Sequence, residues 1–235
     1  MKPALRRVGN SQSPVVVIDE FTGAAEAIAR LADDLAPYPP VEHNYYPGIR
    51  RMISAADEAA YQYVNHTCQA AAGFVGGAFG VDNFQLTEAS FSIVTVQPDR
   101  LQPLQRAPHF DSADQNVFAI LHFLRVPEAS GTAFYRHRAT GVERVTNDNL
   151  NRFVSGAQAD AARLASDSGY IHGSNDFYEQ IGMVEAVPDR LIMYHGSLLH
   201  SGIIPEGMTF SADPRHGRLT GNFFLLGGMG NKANG

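Results

Sequence analysis

The chain contains a single cysteine, and it has no long apolar run. Because Cys68 has no second cysteine to pair with, an intramolecular disulfide is excluded and a reducing compartment is favoured. A membrane-spanning helix needs about 20 consecutive apolar residues, and no segment approaches that length. The basic start of the chain (Lys2, Arg6 and Arg7) is not followed by the apolar core of a signal peptide. We therefore expect a cytoplasmic protein without a membrane segment.

Positive charge is also scarce in this sequence. The 235 residues carry 18 Lys and Arg against 24 Asp and Glu, which gives a net charge of -6. Since no basic stripe is available to meet phosphates, we expect no nucleic-acid partner. The sequence also lacks a nucleophile elbow, a P-loop, a dinucleotide-binding fingerprint and a cysteine-based zinc site, which argues against the enzyme classes that depend on them.

The composition is otherwise that of an ordinary globular protein, with 44% hydrophobic and 18% charged residues. No internal repeat, low-complexity segment or linker divides the chain. We therefore predict a single domain over residues 1–235, and we make no prediction of its oligomeric state.

The most informative motif is His109-Phe110-Asp111, which is followed far along the chain by His200. Two imidazoles and one carboxylate can hold one face of a ferrous ion and leave three coordination positions open, as in non-haem Fe(II) oxygenases. Residues i and i+2 of a strand point to the same face, so His109 and Asp111 could chelate from one strand. We predict His109, Asp111 and His200 as metal ligands.

Other interpretations of these histidines are open. His109 and Asp111 could form a surface pair on a strand, and His200 could be a hydrogen-bonded core histidine. His195 competes with His200 for the third ligand position, although the Gly196-Ser197 that follows it favours a turn. For His122, which alternates with two apolar neighbours, we expect a packing role.

Several strands are predicted around the candidate ligands, in a fixed order. β-prone apolar runs bounded by turn signals predict them at residues 86–96, 117–124, 132–135, 190–194, 198–202 and 219–226. Arg218 directly precedes the last of these, which is rich in aromatic residues. This order of parts resembles the Fe(II)/2-oxoglutarate-dependent dioxygenases, in particular the prolyl-4-hydroxylase-like branch, over roughly residues 85–228.

The resemblance implies a mainly β (α+β) fold with a double-stranded β-helix, or jelly-roll, core over residues 85–228. For residues 1–84 we predict a helical buttress packed on the sheet, with a short strand at 15–19 and helices at 21–35 and 55–76. A helical insert near 147–178 interrupts the core. It could shape the substrate pocket, or it could be a solvated excursion.

The resemblance also implies 2-oxoglutarate as a cosubstrate. Its far carboxylate would lie in a mostly apolar barrel, where a fixed cation is needed because an unpaired buried anion is costly. We predict that Arg218 supplies this cation through its bidentate fork and that Thr220, on the same strand face, adds a hydroxyl. The alternative is that Arg218 is an exposed arginine at the end of a loop.

One position departs from the pattern of the family. Phe123 stands where relatives often place a tyrosine that helps to hold the cosubstrate, and we predict that Tyr135 supplies this hydroxyl instead. Arg136 or Arg138 would favour an anionic substrate if either faced the pocket, but an exposed strand is the preferred interpretation. The Tyr- and Pro-rich segment 45–51 could cover the site or pack on the sheet.

By resemblance, the expected activity is Fe(II)- and 2-oxoglutarate-dependent oxidation, most commonly hydroxylation, of a small-molecule or peptide substrate. One alternative is a jelly-roll protein that binds metal or a small anion without catalysis. The other is an interaction protein whose histidines are structural.

Overall fold

Two antiparallel sheets and three helices form the frame of the protein. The structure, a computed structural model, describes residues 2–40, 46–164 and 168–228. The strands are β1 (Lys2–Val8), β2 (Ser13–Asp19), β3 (Gly48–Met52), β4 (Asn83–Val94), β5 (Val117–Arg125), β6 (Gly131–His137), β7 (Tyr178–Glu185), β8 (Leu191–His195), β9 (His200–Ile203) and β10 (Leu219–Gly228). The α-helices are α1 (Ala25–Asp34), α2 (Glu58–Phe79) and α3 (Leu150–Ala161). None of these helices is long and apolar enough to span a bilayer.

The larger sheet has seven strands in the order β1-β2-β8-β5-β10-β4-β3, and the smaller sheet has the order β7-β6-β9. All pairings within them are antiparallel. From β5 onward the chain passes repeatedly between the sheets, because β5, β8 and β10 lie in the larger sheet and β6, β7 and β9 in the smaller one. Parts distant in sequence therefore meet between the sheets.

Both faces of the larger sheet are covered, which explains the continuous apolar run of β5. Phe118 and Ile120 point to the side of α1 and α2, where they join the largest hydrophobic cluster. Ala119 and Phe123 point to the other side and pack with Phe134 of the smaller sheet. A strand buried on both faces lacks the apolar–polar alternation of a half-exposed strand.

The helices predicted at 21–35 and 55–76 correspond to α1 and α2, and both pack on the larger sheet. The predicted strands are also present. Three strands were missed: β1, β3 and β7. All but one residue of β1 is exposed, and its Lys, Pro and Arg residues gave no apolar signal because it is the edge strand of the sheet.

A buried hydrogen-bond network joins the helical layer to the larger sheet. The Tyr63 hydroxyl lies 2.9 Å from Nδ1 of His122, and Nε2 of His122 lies 3.1 Å from Asp189. Asp189 also accepts hydrogen bonds from the backbone N–H groups of Thr22 and Gly23, just before α1. The packing role expected for His122 is thus confirmed. Burial alone would raise the pKa of Asp189, but these hydrogen bonds outweigh it and hold that pKa well below its ordinary value.

We expect Asp189→Asn to lower the free energy of unfolding by about 1–3 kcal/mol at pH 7, because it leaves buried donors without a charged acceptor. Asparagine tolerates the positive φ of 64° at this position, so backbone strain does not contribute. A carboxylate with a lowered folded pKa stabilises the fold above its unfolded pKa of about 3.9 and loses this effect as pH falls. The difference between wild type and variant should therefore shrink below about pH 4.

Urea unfolding of both proteins between pH 7 and pH 3 measures this difference. The exposed Asp176→Asn serves as the control, and it should change stability by less than about 0.5 kcal/mol. Equal stability of the wild type and the Asp189 variant at pH 7 would refute the role assigned to this network.

Candidate active site

His109, Asp111 and His200 converge between the two sheets. Each offers a ligand atom, and the three atoms lie within 4.8 Å of one another. Oδ1 of Asp111 lies 3.9 Å from Nε2 of His109, and Oδ2 of Asp111 lies 3.7 Å from Nε2 of His200. The structure thus brings together the three residues that the sequence suggested as metal ligands.

The backbone that holds these ligands differs from the expected strand. His109 forms only an isolated bridge with His200, in which each residue donates its N–H to the other's carbonyl oxygen, at 2.9 and 2.8 Å. The N–H of Asp111 donates to the carbonyl oxygen of Gly196 at 2.7 Å. The His-x-Asp segment is therefore fixed by β9 and by the turn after β8, and the prediction of a regular strand there was wrong.

The protonation states of the ligands suit a cation. Nδ1 of His200 donates a hydrogen bond to the carbonyl oxygen of Leu198 at 2.8 Å, which leaves Nε2 directed at the site as the ligand atom. Desolvation by the cavity walls, together with His200 and Arg50, lowers the pKa of His109 well below its ordinary value, so this imidazole is neutral near pH 7. Burial raises the pKa of Asp111, and its buried Oδ2 accepts no hydrogen bond from the described residues. A metal ion would supply the missing partner.

The three ligands line a cavity of about 490 Å³. The His109 side chain is 46% exposed, the largest exposure among the three. One part of the cavity wall is polar and contains Thr132, Tyr194, Arg218 and Asn222. The remaining wall is largely apolar and aromatic, with Leu104, Phe110, Phe153, Val154, Ala157, Ile204 and Phe224 among its residues.

Arg218 is a buried cation in the polar part of this cavity. It is only 4% exposed, so it is not the exposed loop-end arginine of the alternative interpretation. One Nη donates to the carbonyl oxygen of Gly131 at 3.2 Å, and the guanidinium lies 5.5 Å from the centre of the Phe123 ring. Its Nε has no hydrogen-bond partner, and among the described residues no carboxylate lies within 4.0 Å of it. Burial lowers the pKa of Arg218, because it disfavours the charged form of the guanidinium.

Thr220 and Tyr135, the two predicted hydroxyl donors, are both buried, and neither is among the residues of the cavity wall. Thr220 lies on β10 opposite Phe123, and its buried hydroxyl has no hydrogen-bond partner. Tyr135 packs with Phe153 and Ala157 of α3 in a buried cluster and is not part of the cavity wall. The structure therefore does not bring Tyr135 into the cavity with Arg218.

Tyr194 is a residue of the cavity that the sequence interpretation missed. Its ring centre lies 4.8 Å from that of His200. Burial raises the pKa of Tyr194 well above its ordinary value, and the nearby charge of Asp111 raises it further. Tyr194 lines the same cavity as the candidate metal ligands and Arg218. The sequence offered one signal for this position. Tyr194 lies two residues after Ile192 on β8, so the two share a strand face, and both pack toward the smaller sheet.

The competing histidine lies on the opposite face of the same strand. His195 packs against Phe79 and Phe118 with ring centres 5.0 Å away in each case, and Nδ1 lies 3.2 Å from the carbonyl oxygen of Gln115. Burial lowers its pKa to about 4. His195 is therefore a neutral histidine of β8 that faces the helical layer, and it is not a ligand of this site.

The remaining candidates fall into two groups. Arg136 pairs with Glu143 and Glu179, and neither it nor Arg138 lines the cavity. The preferred interpretation of an exposed strand was nevertheless wrong, because Tyr135 and His137, the neighbours of Arg136 in β6, are buried. The cavity is instead lined by the insert and the Tyr-rich segment. Helix α3 supplies Phe153, Val154, Ala157 and Gln158, and the segment 45–51 supplies Tyr46, Pro47 and Arg50, while Tyr45 lies outside the described residues.

A family model described as a family of unknown function (DUF6445) matches residues 1–225. The chain belongs to this family. No curated protein matches this DUF6445 member.

Several solved structures are similar to the DUF6445 chain in fold. The 2-oxoglutarate- and nickel-bound HygX from Streptomyces hygroscopicus has a TM-score of 0.57 at 12% identity, with 92% of this chain and 84% of HygX covered. The alpha-ketoglutarate-dependent carbocyclase SnoK from nogalamycin biosynthesis has a TM-score of 0.58 at 10% identity, with 92% and 81% covered. A Pseudomonas putida prolyl-4-hydroxylase has a TM-score of 0.51 at 14% identity, with 93% and 95% covered. At these identities the likeness concerns the fold.

Proposed function

We propose that this protein is an Fe(II)- and 2-oxoglutarate-dependent oxygenase. His109, Asp111 and His200 would hold the metal, and Arg218 would bind the far carboxylate of the cosubstrate. The observation that carries the proposal is the buried guanidinium of Arg218, which has no carboxylate partner among the described residues and lines the same cavity as the three metal ligands. A buried charge without a partner is costly, so an anion is expected there.

The spacing of the two subsites fits a short dicarboxylate. Gly202 lies two residues after His200 on β9, so the two share a strand face about 6.5 Å apart. The guanidinium carbon of Arg218 lies 3.9 Å from the position that a side chain on Gly202 would occupy. One carboxylate could therefore reach Arg218 while the 2-oxo acid end reaches the metal.

Other polar residues complete the anion subsite. Tyr194, which lines the same cavity as Asp111 and Arg218, takes the role that we had assigned to Tyr135 and can donate its hydroxyl to the cosubstrate. Thr132 lines the cavity, and its buried hydroxyl has no hydrogen-bond partner among the described residues, as expected of a donor that awaits a ligand. The low pKa of His109 keeps its imidazole available as a ligand.

We also propose that the two sheets are the halves of a double-stranded β-helix. The repeated passage of the chain between them from β5 to β10 supports this, as does the similarity in fold to the oxygenases named above. Bound Fe(II) and 2-oxoglutarate would supply the activation of dioxygen, while the protein positions the substrate and excludes water. The substrate is a small molecule or a peptide side chain, and a reducing cytoplasm would keep the iron ferrous.

An anaerobic titration of the metal-free protein tests the proposal. Fe(II) is added first and 2-oxoglutarate second, and the visible metal-to-ligand charge-transfer band is recorded. We expect a weak band that appears only when both are present and that saturates at one equivalent of 2-oxoglutarate. Succinate release in air, coupled to a panel of candidate substrates, would follow.

Two other outcomes would change the assignment. Tight Fe(II) binding without the band would indicate a metal-binding protein that does not use 2-oxoglutarate. Absence of metal binding would overturn the site itself, because His109, Asp111 and His200 would then be structural.

A further inference from the structure

Arg50 is a second cation in the cavity, and the cosubstrate proposal does not use it. It lies on β3 opposite Ser92 of β4, and its side chain lines the cavity. Its guanidinium carbon lies 4.9 Å from the centre of the Tyr46 ring and 6.0 Å from that of Phe224. Two aromatic rings thus hold the guanidinium in place, as in other cation–π contacts.

Arg50 shares the cavity with the proposed metal ligands His109 and Asp111. Arg218 lies over Gly202, two residues further along β9 than His200. The two arginines belong to neighbouring parts of the larger sheet, because Arg50 pairs with Ser92 of β4 and Ser92 pairs with Thr220, two residues after Arg218.

Within the described part of the chain, Arg50 has one carboxylate partner and retains unused hydrogen-bonding capacity. One Nη lies 3.2 Å from Glu88, whose side chain is 31% exposed, so solvent weakens this pair. The Nε of Arg50 is buried and has no hydrogen-bond partner among residues 2–40, 46–164 and 168–228. A guanidinium can use a second edge to bind another carboxylate, so Glu88 can orient Arg50 without saturating it.

The charge of the filled cavity favours a further anion. The charged side chains in the described cavity wall are Arg50, Arg218 and Asp111. The charge of a ferrous ion cancels that of a 2-oxoglutarate dianion, and the negative charge of Asp111 cancels the positive charge of one arginine. One positive charge then remains on the wall, and Glu88 neutralises it only in part from its half-exposed position outside the cavity.

We infer that Arg50 recognises a carboxylate of the primary substrate. This inference rests on the proposed function and assigns the substrate class of the same site. The apolar wall formed by Leu104, Phe110, Phe153, Val154 and Ala157 would hold the rest of that molecule. The substrate is therefore a carboxylic acid with a hydrophobic, aromatic or long aliphatic body, and its carboxylate lies at Arg50 while its apolar carbons lie near the metal.

Binding of matched acids and amides tests this inference. The probes are phenylacetate and 4-phenylbutyrate, each compared with its primary amide. Binding to protein loaded with Zn(II), which is diamagnetic and redox-inert, and saturating 2-oxoglutarate is measured by saturation-transfer NMR. Because a charged hydrogen bond contributes about 1.5–3 kcal/mol, the better acid should bind roughly 10- to 150-fold more tightly than its amide.

Two variants separate Arg50 from its neighbour on the strand. Arg50→Met should reduce the preference for the acid to less than about 2-fold, while the 2-oxoglutarate charge-transfer band of the Fe(II) protein persists. Arg51→Met is the matched control, because Arg51 pairs with Asp57 and does not line the cavity, and it should keep the preference. Thermal unfolding of both variants confirms that they are folded.

Several results would overturn the inference. Wild-type protein that binds the amides as tightly as the acids, or that binds neither, would do so. Retention of the preference for the acid in Arg50→Met would also overturn it. Loss of the charge-transfer band in that variant would overturn it as well, because Arg50 would then bind the cosubstrate. If wild-type protein fails to bind 2-oxoglutarate at all, the proposed function fails, and the acid–amide comparison is then made on the Zn(II) protein alone.

Discussion

Replacement of His200 by alanine is expected to weaken Fe(II) binding by at least about 100-fold and to abolish 2-oxoglutarate consumption. Loss of groups that only support metal ligands already costs about 10- to 100-fold in affinity, and His200 is itself a proposed ligand. Its Nε2 lies 3.7 Å from the buried Oδ2 of Asp111. Without the imidazole, only two protein ligands would remain for the ion.

Anaerobic calorimetry with Fe(II), or with Co(II) as a stable substitute, measures this loss. His66→Ala is the matched control, because His66 is exposed on α2, and its metal affinity should equal that of wild type. Asp111→Ala should reproduce the loss. Wild-type metal affinity in the His200 variant would rule out the proposed centre, whatever activity the protein shows.

Arg218→Met is expected to change cosubstrate binding and stability in opposite directions. Removal of one partner of a buried charge pair costs about 2–5 kcal/mol, so 2-oxoglutarate affinity should fall roughly 30- to 5,000-fold. Fe(II) affinity should stay within about 3-fold of wild type, since Arg218 is not a ligand. The ligand-free variant should be more stable than wild type by about 1–3 kcal/mol, because a buried guanidinium without a carboxylate partner is replaced by an apolar side chain.

Thermal unfolding with and without 2-oxoglutarate tests both effects in one experiment. A ligand at 100 times its Kd stabilises the folded state by about 2.7 kcal/mol, so metal-loaded wild type should gain stability and the variant should not. Arg215→Met is the control, because Arg215 is exposed and lies three residues earlier. Arg218→Lys keeps the charge without the planar fork and should give an intermediate affinity. A ligand-free Arg218→Met protein that is less stable than wild type would contradict the view of Arg218 as an unpaired cation.

Local patterns in the sequence were sufficient for most of the secondary structure. The three-to-four-residue periodicity that predicts α1, the alanine-rich segment of α2 and the apolar runs that become β5 and β10 are all recognisable in a single segment of chain. The exposed edge strand β1 has no such pattern, and its extended conformation depends on its pairing with β2. Strands of this kind are therefore missed by sequence analysis.

The sequence by itself determined which residues we propose as metal ligands and as the cation for the cosubstrate, because the chemistry of a ferrous centre and of a dicarboxylate restricts the residue types and their order. Only the tertiary structure decided which further side chains enter the cavity. Tyr194 and Arg50 lie in its wall, whereas Tyr135 and His195 point into other layers. The physical reason is that a strand covered on both faces has no exposed side to mark its orientation, so the face that each residue occupies depends on the packing of the two sheets and the helical layer.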